Sequence, residues 1–318
     1  MNIPEIQWKR DPKYGKFNCE KICQQVYPQR KIYIDSKWKD HMCNEVGCRN
    51  RFIVIDGNEK LYRYCCATPQ NKIKGGRGEI NSVHRCVNNP VRGNKSKPNS
   101  KLCQFHESGK KDIMHQEERL DLRPVTRSVT SQLLFEVTSQ KGCKDESNVN
   151  KYMERTAGML YAIRPCGIRV SHCEMFTAES LSTVFSCLID IFSDNPSEND
   201  IKGIVYDRSC DLHPYLVRLG NEDNNTAEKY SRLHYVVDIF HAEKHTLPKC
   251  VITSDQCEYH PNLEKFQHIR SMNMEICEST FHLINPLKHV LRNMTYGKRL
   301  VILKLLDDNY NNRLLKHL

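Results

Sequence analysis

Short apolar and β-branched runs, several of them closed by an acidic residue or a glycine, divide the chain into predicted strands. The first run, Arg51–Gly57 (RFIVIDG), predicts a buried strand that ends in a turn. Met159–Ile163 and Ile168–Val170, joined by Arg-Pro-Cys-Gly, predict a hairpin. Gly203–Asp207 and Tyr235–Asp238 predict two further strands, so the regular part of the chain is rich in short strands.

Helical spacing of apolar residues appears between these strands. Apolar positions recur three and four apart from Ala178 to Phe192, which predicts an amphipathic helix. Shorter helical patterns cover residues 211–219 and the region from about 273 onward. The order is strand, insertion, strand, strand, helix, strand, helix, strand, insertion, helix. It predicts an α/β fold of RNase H-like order, a mixed sheet flanked by helices and interrupted by zinc-binding insertions.

Shifts in composition predict three segments. Residues 1–42 form a polar N-terminal segment. Residues 43–150 contain the first core strand, a cysteine-rich basic insertion and a connector. Residues 151–318 contain the rest of the core, with a second His/Cys insertion at 239–272. Within the second segment, residues 67–111 hold ten Lys or Arg and two acidic residues, a composition that predicts an exposed loop without helix or strand.

Overall charge and cysteine usage narrow the class of protein. The chain has 318 residues, enough for a substantial core, and a formal net charge of +10, which weakly favours a polyanionic partner such as nucleic acid. The N-terminus lacks an apolar signal segment, and no apolar run is long enough to span a membrane, so we expect a reducing compartment and no membrane association. Under those conditions the 16 cysteines are expected to bind metal or to pack as small apolar residues.

Two groups of cysteines and histidines have the short spacings typical of zinc ligands, and one or two structural zinc ions are expected in the first group. The ligands proposed for the first group are Cys43, Cys48, Cys66, Cys86, Cys103 and His106. Those proposed for the second are His245, Cys250, Cys257 and His260, with His241 given another role near the acidic centre. The alternative, in which His241 and His245 form the first ligand pair, stays open. The remaining apolar-flanked cysteines are expected in the core: Cys166, Cys173, Cys187, Cys210 and Cys277.

The basic insertion offers contacts for DNA phosphates, although such runs are often only solvated loops. The side chains proposed for this role are Lys72, Lys74, Arg77, Arg85, Arg92, Lys95 and Lys97.

Acidic residues stand where a two-metal centre would need them. Asp56 and Asp207 end predicted parallel strands, so their carboxylates should meet at the same edge of the sheet. Glu275 and Glu278 are three apart on the predicted last helix and share a face. Such oxygen ligands suit hard divalent ions, and two ions about 4 Å apart would act on a phosphodiester. Taken singly, an aspartate after a strand is more often a turn former.

These segments resemble the Kyakuja-Dileera-Zisupton (KDZ) transposases. Val54–Asn58 is similar to that family's first-strand motif, and Val205–Cys210 to its tyrosine-aspartate-x-x-cysteine motif. Asp238–His241 with His245 and Cys250 resembles its His-x-x-x-His segment and following cysteine, and Glu275-x-x-Glu278-x-x-Phe281 its glutamate motif. The chain departs from the family at Phe281, where tryptophan is common, and at Asn273-Met274, where a glycine precedes the first glutamate.

The resemblance implies an RNase H-like fold, Mg or Mn as cofactor, and DNA strand cleavage and transfer as the activity. Asp56, Asp207 and Glu275 would then hold the metals, with Glu278 as the alternate ligand. A nuclear location follows from DNA as the substrate, and assembly into a homo-oligomer stays open. Two alternatives remain: a catalytically inactive, zinc-stabilised DNA-binding protein, and a zinc-stabilised protein-interaction module.

Overall fold

The run around Asp56 forms the central strand of a five-stranded sheet in a computed structural model of the protein. The structure describes residues 37–65, 71–72, 83–84, 155–175, 179–192, 201–222, 224–242 and 257–318. The strands of this sheet are β1 (Phe52–Asn58), β2 (Gly158–Ile163), β3 (Arg169–Met175), β4 (Gly203–Val205) and β5 (His234–Val236).

The sheet is mixed, with the strand order β3-β2-β1-β4-β5. The β2–β3 hairpin runs antiparallel, and β2 pairs antiparallel with β1. On the other side of β1, strands β4 and β5 run parallel to it. The predicted mixed sheet flanked by helices is therefore confirmed.

Helices cover both faces of the sheet and bury its apolar residues. The helices are α1 (Val46–Arg49), α2 (Leu181–Phe192), α3 (Ser209–Asn221), α4 (Asn225–Ser231), α5 (Ile239–Ala242), α6 (Ile276–Ile284), α7 (Lys288–Arg292) and α8 (Tyr296–Leu314). Among the described residues, 3-10 turns occur at Glu59–Leu61, Glu264–Ile269 and Asn285–Leu287. Successive side chains of β1 point to opposite faces of the sheet. Ile53 and Ile55 pack against α2, α3 and α4 on one face, and Phe52 and Val54 pack against α6 and α8 on the other. None of the helices within these ranges is long and apolar enough to cross a bilayer.

Charged side chains are buried where α8 crosses β3. Glu174 binds both Arg63, at 3.2 Å, and Arg299. Asp307 binds Arg169 at 3.0 Å and the Nδ1 atom of His172 at 2.8 Å. These pairs attach the C-terminal helix to the edge strand in one register, because each buried charge requires its own partner.

Three expectations about local structure were wrong or incomplete. The first predicted helix begins at Leu181 rather than Ala178, and the Ser180 hydroxyl accepts a hydrogen bond from the Thr183 N–H there. Asn71–Lys72 pairs antiparallel with Val83–His84, so the basic insertion does contain β-structure. Cys173 on β3 and Cys187 on α2 do pack in the core, but they form a disulfide instead of remaining separate thiols, because the strand and the helix place their Cα atoms 6.3 Å apart.

Candidate functional site

Strand register brings three aspartates to one edge of the sheet. Val54 on β1 pairs with Val205 on β4, and Val205 pairs with Val236 on β5. An aspartate lies two residues beyond each of these valines: Asp56, Asp207 and Asp238. Neighbouring strands are about 4.8 Å apart, so the register alone places these carboxyl groups in a row.

A cavity of about 330 Å³ opens at this edge. The strand-end aspartates line it together with His241 and both glutamates predicted on the last helix, Glu275 and Glu278. The structure therefore brings Asp56, Asp207, Glu275, Glu278 and His241 together. Asp238 was not among the predicted carboxylates. It follows a short apolar run just as Asp207 does, so the sequence pattern that identified Asp207 also applied to Asp238.

Glu179 is a further carboxylate that the sequence reasoning missed. It lies just before α2 and reaches β1, where an ideal Cβ on Gly57 would be 1.9 Å from Glu179 Oε2. Its Oε1 atom is buried, with no hydrogen-bond partner in the described part of the chain. No periodicity or motif marks this residue, because its position depends on how α2 packs against the sheet.

The carboxylates at this edge disfavour one another's ionisation. Burial, together with the charges of Glu179 and Asp207, raises the pKa of Asp56 well above its usual range. Burial and the charge of Asp207 raise the pKa of Glu179 to about 7. Burial also raises the pKa of Asp207, against the opposing effects of His241 and Arg208. Since the charged forms are destabilised here, a bound cation would be strongly favoured.

His241 is held at the edge of the cavity by Asp238. Its Nδ1 atom lies 2.5 Å from Asp238 Oδ2, and its backbone N–H donates to Asp238 Oδ1 at 2.9 Å. The carboxylate thus fixes the orientation of the ring, and the Nδ1–H donates to it. This position agrees with a role for His241 near the acidic centre.

The two helix glutamates are not equivalent. Glu278 lies in the first turn of α6, and its charge contributes to the raised pKa of Asp56. Glu275 occupies the N-cap position of α6 and also lines a second, smaller cavity of about 180 Å³. Glu278 is therefore the better placed of the two to act with Asp56.

A separate group of ligand atoms lies at the opposite end of β1. Atoms of His41, Cys43, Cys48 and Cys166 all lie within 4.8 Å of one another, an arrangement compatible with zinc. Within the described ranges this spacing is met by that cluster and not by the acidic cavity. Cys43 and Cys48 were predicted as ligands. His41 was missed. Cys166 was assigned to the core, and it does pack, half-buried, against Trp38 and Ile168, but the β2–β3 hairpin also carries it to this cluster.

Many of the other proposed residues lie outside the described residues, and their roles stay predictions. Among the zinc ligands these are Cys66, Cys86, Cys103, His106, His245 and Cys250; among the phosphate contacts, Lys74, Arg77, Arg85, Arg92, Lys95 and Lys97. Lys72 is described through its backbone, which pairs with Val83. His260 is buried, and its Nδ1 atom accepts from the Asn262 N–H at 3.1 Å, while Cys257 is half-buried.

Comparison with known proteins gives one match. The sequence model of the Kyakuja-Dileera-Zisupton transposase family matches residues 49–311, which includes every strand of the sheet and the cavity residues. Neither a curated protein nor a solved structure matches the chain.

Proposed function

Because the chain belongs to the Kyakuja-Dileera-Zisupton transposase family, we propose that it cleaves DNA strands and transfers them, using divalent metal ions held at the acidic cavity. Family membership implies DNA as the partner. The observation that carries the proposal is the gathering of strand-end aspartates and helix glutamates around one cavity. We further propose that the protein acts in the nucleus, where its DNA substrate is found.

The topology supports an RNase H-like core. An antiparallel strand pair lies on one side of β1 and two parallel strands on the other, with helices on both faces. In parallel α/β sheets, ligands bind beyond the C-terminal strand ends, and Asp207 and Asp238 lie there. Asp56 lies near the end of β1, in the same row.

The residues present fit Mg²⁺ or Mn²⁺. Carboxylate oxygens are the ligands that these hard ions prefer. The pKa values of Asp56 and Asp207 are raised because burial disfavours their charged forms, and a bound cation would stabilise those charged forms. When bound, two such ions activate the attacking oxygen and stabilise the leaving oxygen of a phosphodiester. We assign metal binding to Asp56, Asp207 and Glu278. Glu179 lies next to Asp56 and influences its charge, and Glu275 lies where the acidic cavity meets the smaller one.

We also assign His241 a part in the reaction at the acidic cavity, whereas the Cys/His cluster that contains His41 has none. Asp238 orients the imidazole of His241 beside Asp207, whose pKa His241 lowers. The ring is thereby positioned to hold a proton next to the carboxylate, and we assign it to orienting the DNA phosphate. The basic insertion would add phosphate contacts that weaken with salt.

Substitution of the strand-end aspartates tests the proposal. Asp56→Asn and Asp207→Asn should abolish Mg²⁺- or Mn²⁺-dependent nicking of supercoiled plasmid DNA. Asp308→Asn, which alters an aspartate paired with Lys37 away from the cavity, should leave nicking intact. Nicking that survives in both active-site variants would refute the assignment.

An inactive DNA-binding protein is the second candidate, and one observation favours it. In the described structure the acidic ligand atoms do not form a set of three within 4.8 Å, as the Cys/His cluster does. A calorimetric titration with Mn²⁺ distinguishes the active nuclease from the inactive DNA-binding protein. Saturable Mn²⁺ binding that is lost in D56N supports the nuclease, whereas DNA binding without Mn²⁺ binding supports the inactive protein.

A further inference from the structure

We propose that His41, Cys43, Cys48 and Cys166 form a closed structural zinc site whose net negative charge is balanced by the buried guanidinium of Arg164. The site would fasten the β2–β3 hairpin to the segment that precedes β1. This inference concerns the end of the sheet away from the acidic cavity and does not depend on the proposed nuclease activity.

The ligand atoms are close to the spacing that zinc requires. In a tetrahedral site with Zn–S bonds of about 2.3 Å, neighbouring ligand atoms are about 3.5–3.8 Å apart. The four ligand atoms here lie within 4.8 Å of one another, so a shift of about 1 Å would complete the coordination. Three thiolates and one imidazole are soft and borderline ligands, which favour zinc over Mg²⁺.

His41 carries the clearest sign of a missing partner. Its Nε2 atom is buried and has no hydrogen-bond partner among the described residues. Burying a polar nitrogen without a partner is unfavourable, unless its lone pair binds a metal. We therefore assign Nε2, an atom type that commonly binds zinc, as the ligand atom of His41, so that one ion accounts for both the unpaired nitrogen and the gathered thiols.

Local structure holds the cysteines in place from two distant segments. Glu45 caps α1 by accepting from the Gly47 N–H at 3.2 Å, and Cys48 follows within that helix. Cys166 lies in the hairpin turn, where Gly167 has φ +99° and its N–H donates to the Arg164 carbonyl at 2.7 Å. The two segments pack so closely that a Cβ on Gly47 would be 2.4 Å from the Cγ of Pro165. Four protein ligands would fill the tetrahedral coordination of a zinc ion and leave no open position for a substrate, as expected of a structural site.

Arg164 supplies the countercharge. Its side chain is fully buried, and its guanidinium donates to the Phe52 carbonyl at 3.2 Å and the Lys39 carbonyl at 2.5 Å. Zinc with three thiolates and a neutral histidine has a net charge of about −1. An anionic zinc–thiolate centre beside this buried cation would stabilise its charge. Arg164 and Cys166 belong to the same hairpin turn, two residues apart.

Zinc content and cobalt spectra test the ligand set. Cys166→Ser should lower the zinc content of the purified full chain by one equivalent, measured by plasma mass spectrometry. With Co²⁺ added in enough excess to fill the weakened site, the thiolate-to-cobalt charge-transfer band of C166S should be about two-thirds of the wild-type band, because two of the three thiolates remain. Cys210→Ser removes a buried thiol that is in neither a disulfide nor the cluster, and it is the matched control, with unchanged zinc. Wild-type zinc content and spectrum in C166S would overturn the ligand assignment.

The wild-type chain gives an independent test where C166S does not fold. Alkylation followed by peptide mass spectrometry should show Cys43, Cys48 and Cys166 protected as a set until zinc is removed by a chelator. Reaction of these thiols at the same rate with and without zinc would contradict the site.

The countercharge is tested at Arg164. Arg164→Gln should weaken zinc affinity about tenfold to a hundredfold in competition with a chromophoric chelator, the usual effect of losing an outer-shell partner. Arg164→Lys keeps the charge and should lose less. Equal affinities in the wild type and both variants would remove Arg164 from the proposal.

Discussion

The carboxylate of Glu179 occupies the space that a side chain at Gly57 would need, since an ideal Cβ there would lie 1.9 Å from Glu179 Oε2. Gly57 directly follows Asp56 in β1. A glycine in the central strand therefore lets a carboxylate from the start of α2 approach the acidic edge of the sheet. This contact explains why Glu179 raises the pKa of Asp56.

Gly57→Ala should displace Glu179 from the acidic edge. The obstructing atom is the end of a flexible side chain, so the new methyl group should move the carboxylate rather than the backbone. We expect a loss of about 1 kcal/mol in unfolding free energy and roughly tenfold weaker Mn²⁺ binding, from urea denaturation and calorimetry. Mn²⁺ affinity equal to wild type in G57A would show that the position of Glu179 is irrelevant to the metal.

Gly203→Ala is the matched control for this substitution. Gly203 is also a glycine in a central strand, but a Cβ there would be 2.2 Å from the Phe52 ring. The obstructing atoms belong to a buried aromatic ring rather than to the end of a flexible side chain, and they lie within the apolar core. G203A should therefore lower stability by about 1–3 kcal/mol without changing the Mn²⁺ affinity of the folded chain.

The raised pKa of Glu179 predicts that stability depends on pH when no divalent metal is present. The carboxyl group titrates near its ordinary 4.5 in the unfolded chain and near 7 in the folded one. Between these values the folded chain binds more protons, so its stability falls as pH rises from about 4.5 to about 7. Asp56 and Asp207, whose pKa values are also raised, act in the same direction.

Glu179→Gln removes this titration. In Mg²⁺-free buffer the wild type should lose on the order of 2–3 kcal/mol of unfolding free energy between about pH 5 and pH 8, and E179Q should lose clearly less. Urea denaturation across this range measures both profiles. A profile for E179Q as steep as that of the wild type would assign the pH dependence to other groups.

The strands and their ends could be predicted, whereas contacts between distant segments could not. The apolar run before Asp56 and the one before Asp207 identified two strands and the edge that they share. Asp238 ends a strand by the same rule, but the RNase H-like order of elements pointed to the last helix for the third carboxylate, so a glutamate was chosen instead of this aspartate. Glu179 and Cys166 reach their clusters through the packing of α2 and through the hairpin turn, which leave no periodic signal in the sequence.

Glu174→Gln should destabilise the fold by about 3–5 kcal/mol. Glu174 lies between Arg63 and Arg299, all three side chains are fully buried, and the substitution leaves two cations without their anion. Glu228→Gln is the control, because the pair of Glu228 with Arg232 is exposed and should contribute less than about 1 kcal/mol. Urea denaturation compares the two. A loss in E174Q as small as that in E228Q would mean that Glu174 does not compensate the two arginines.

The two glutamates of α6 should differ in their contribution to metal binding. Glu278 acts on the pKa of Asp56 from the first turn of the helix, whereas Glu275 occupies the N-cap position at the outer margin. Both are exposed and lie on one helix, so each is the matched control for the other. Glu278→Gln should weaken Mn²⁺ binding by more than about tenfold, and Glu275→Gln by less than about threefold, by calorimetry at one pH. The reverse order would place Glu275, which also lines the cavity, at the metal in place of Glu278.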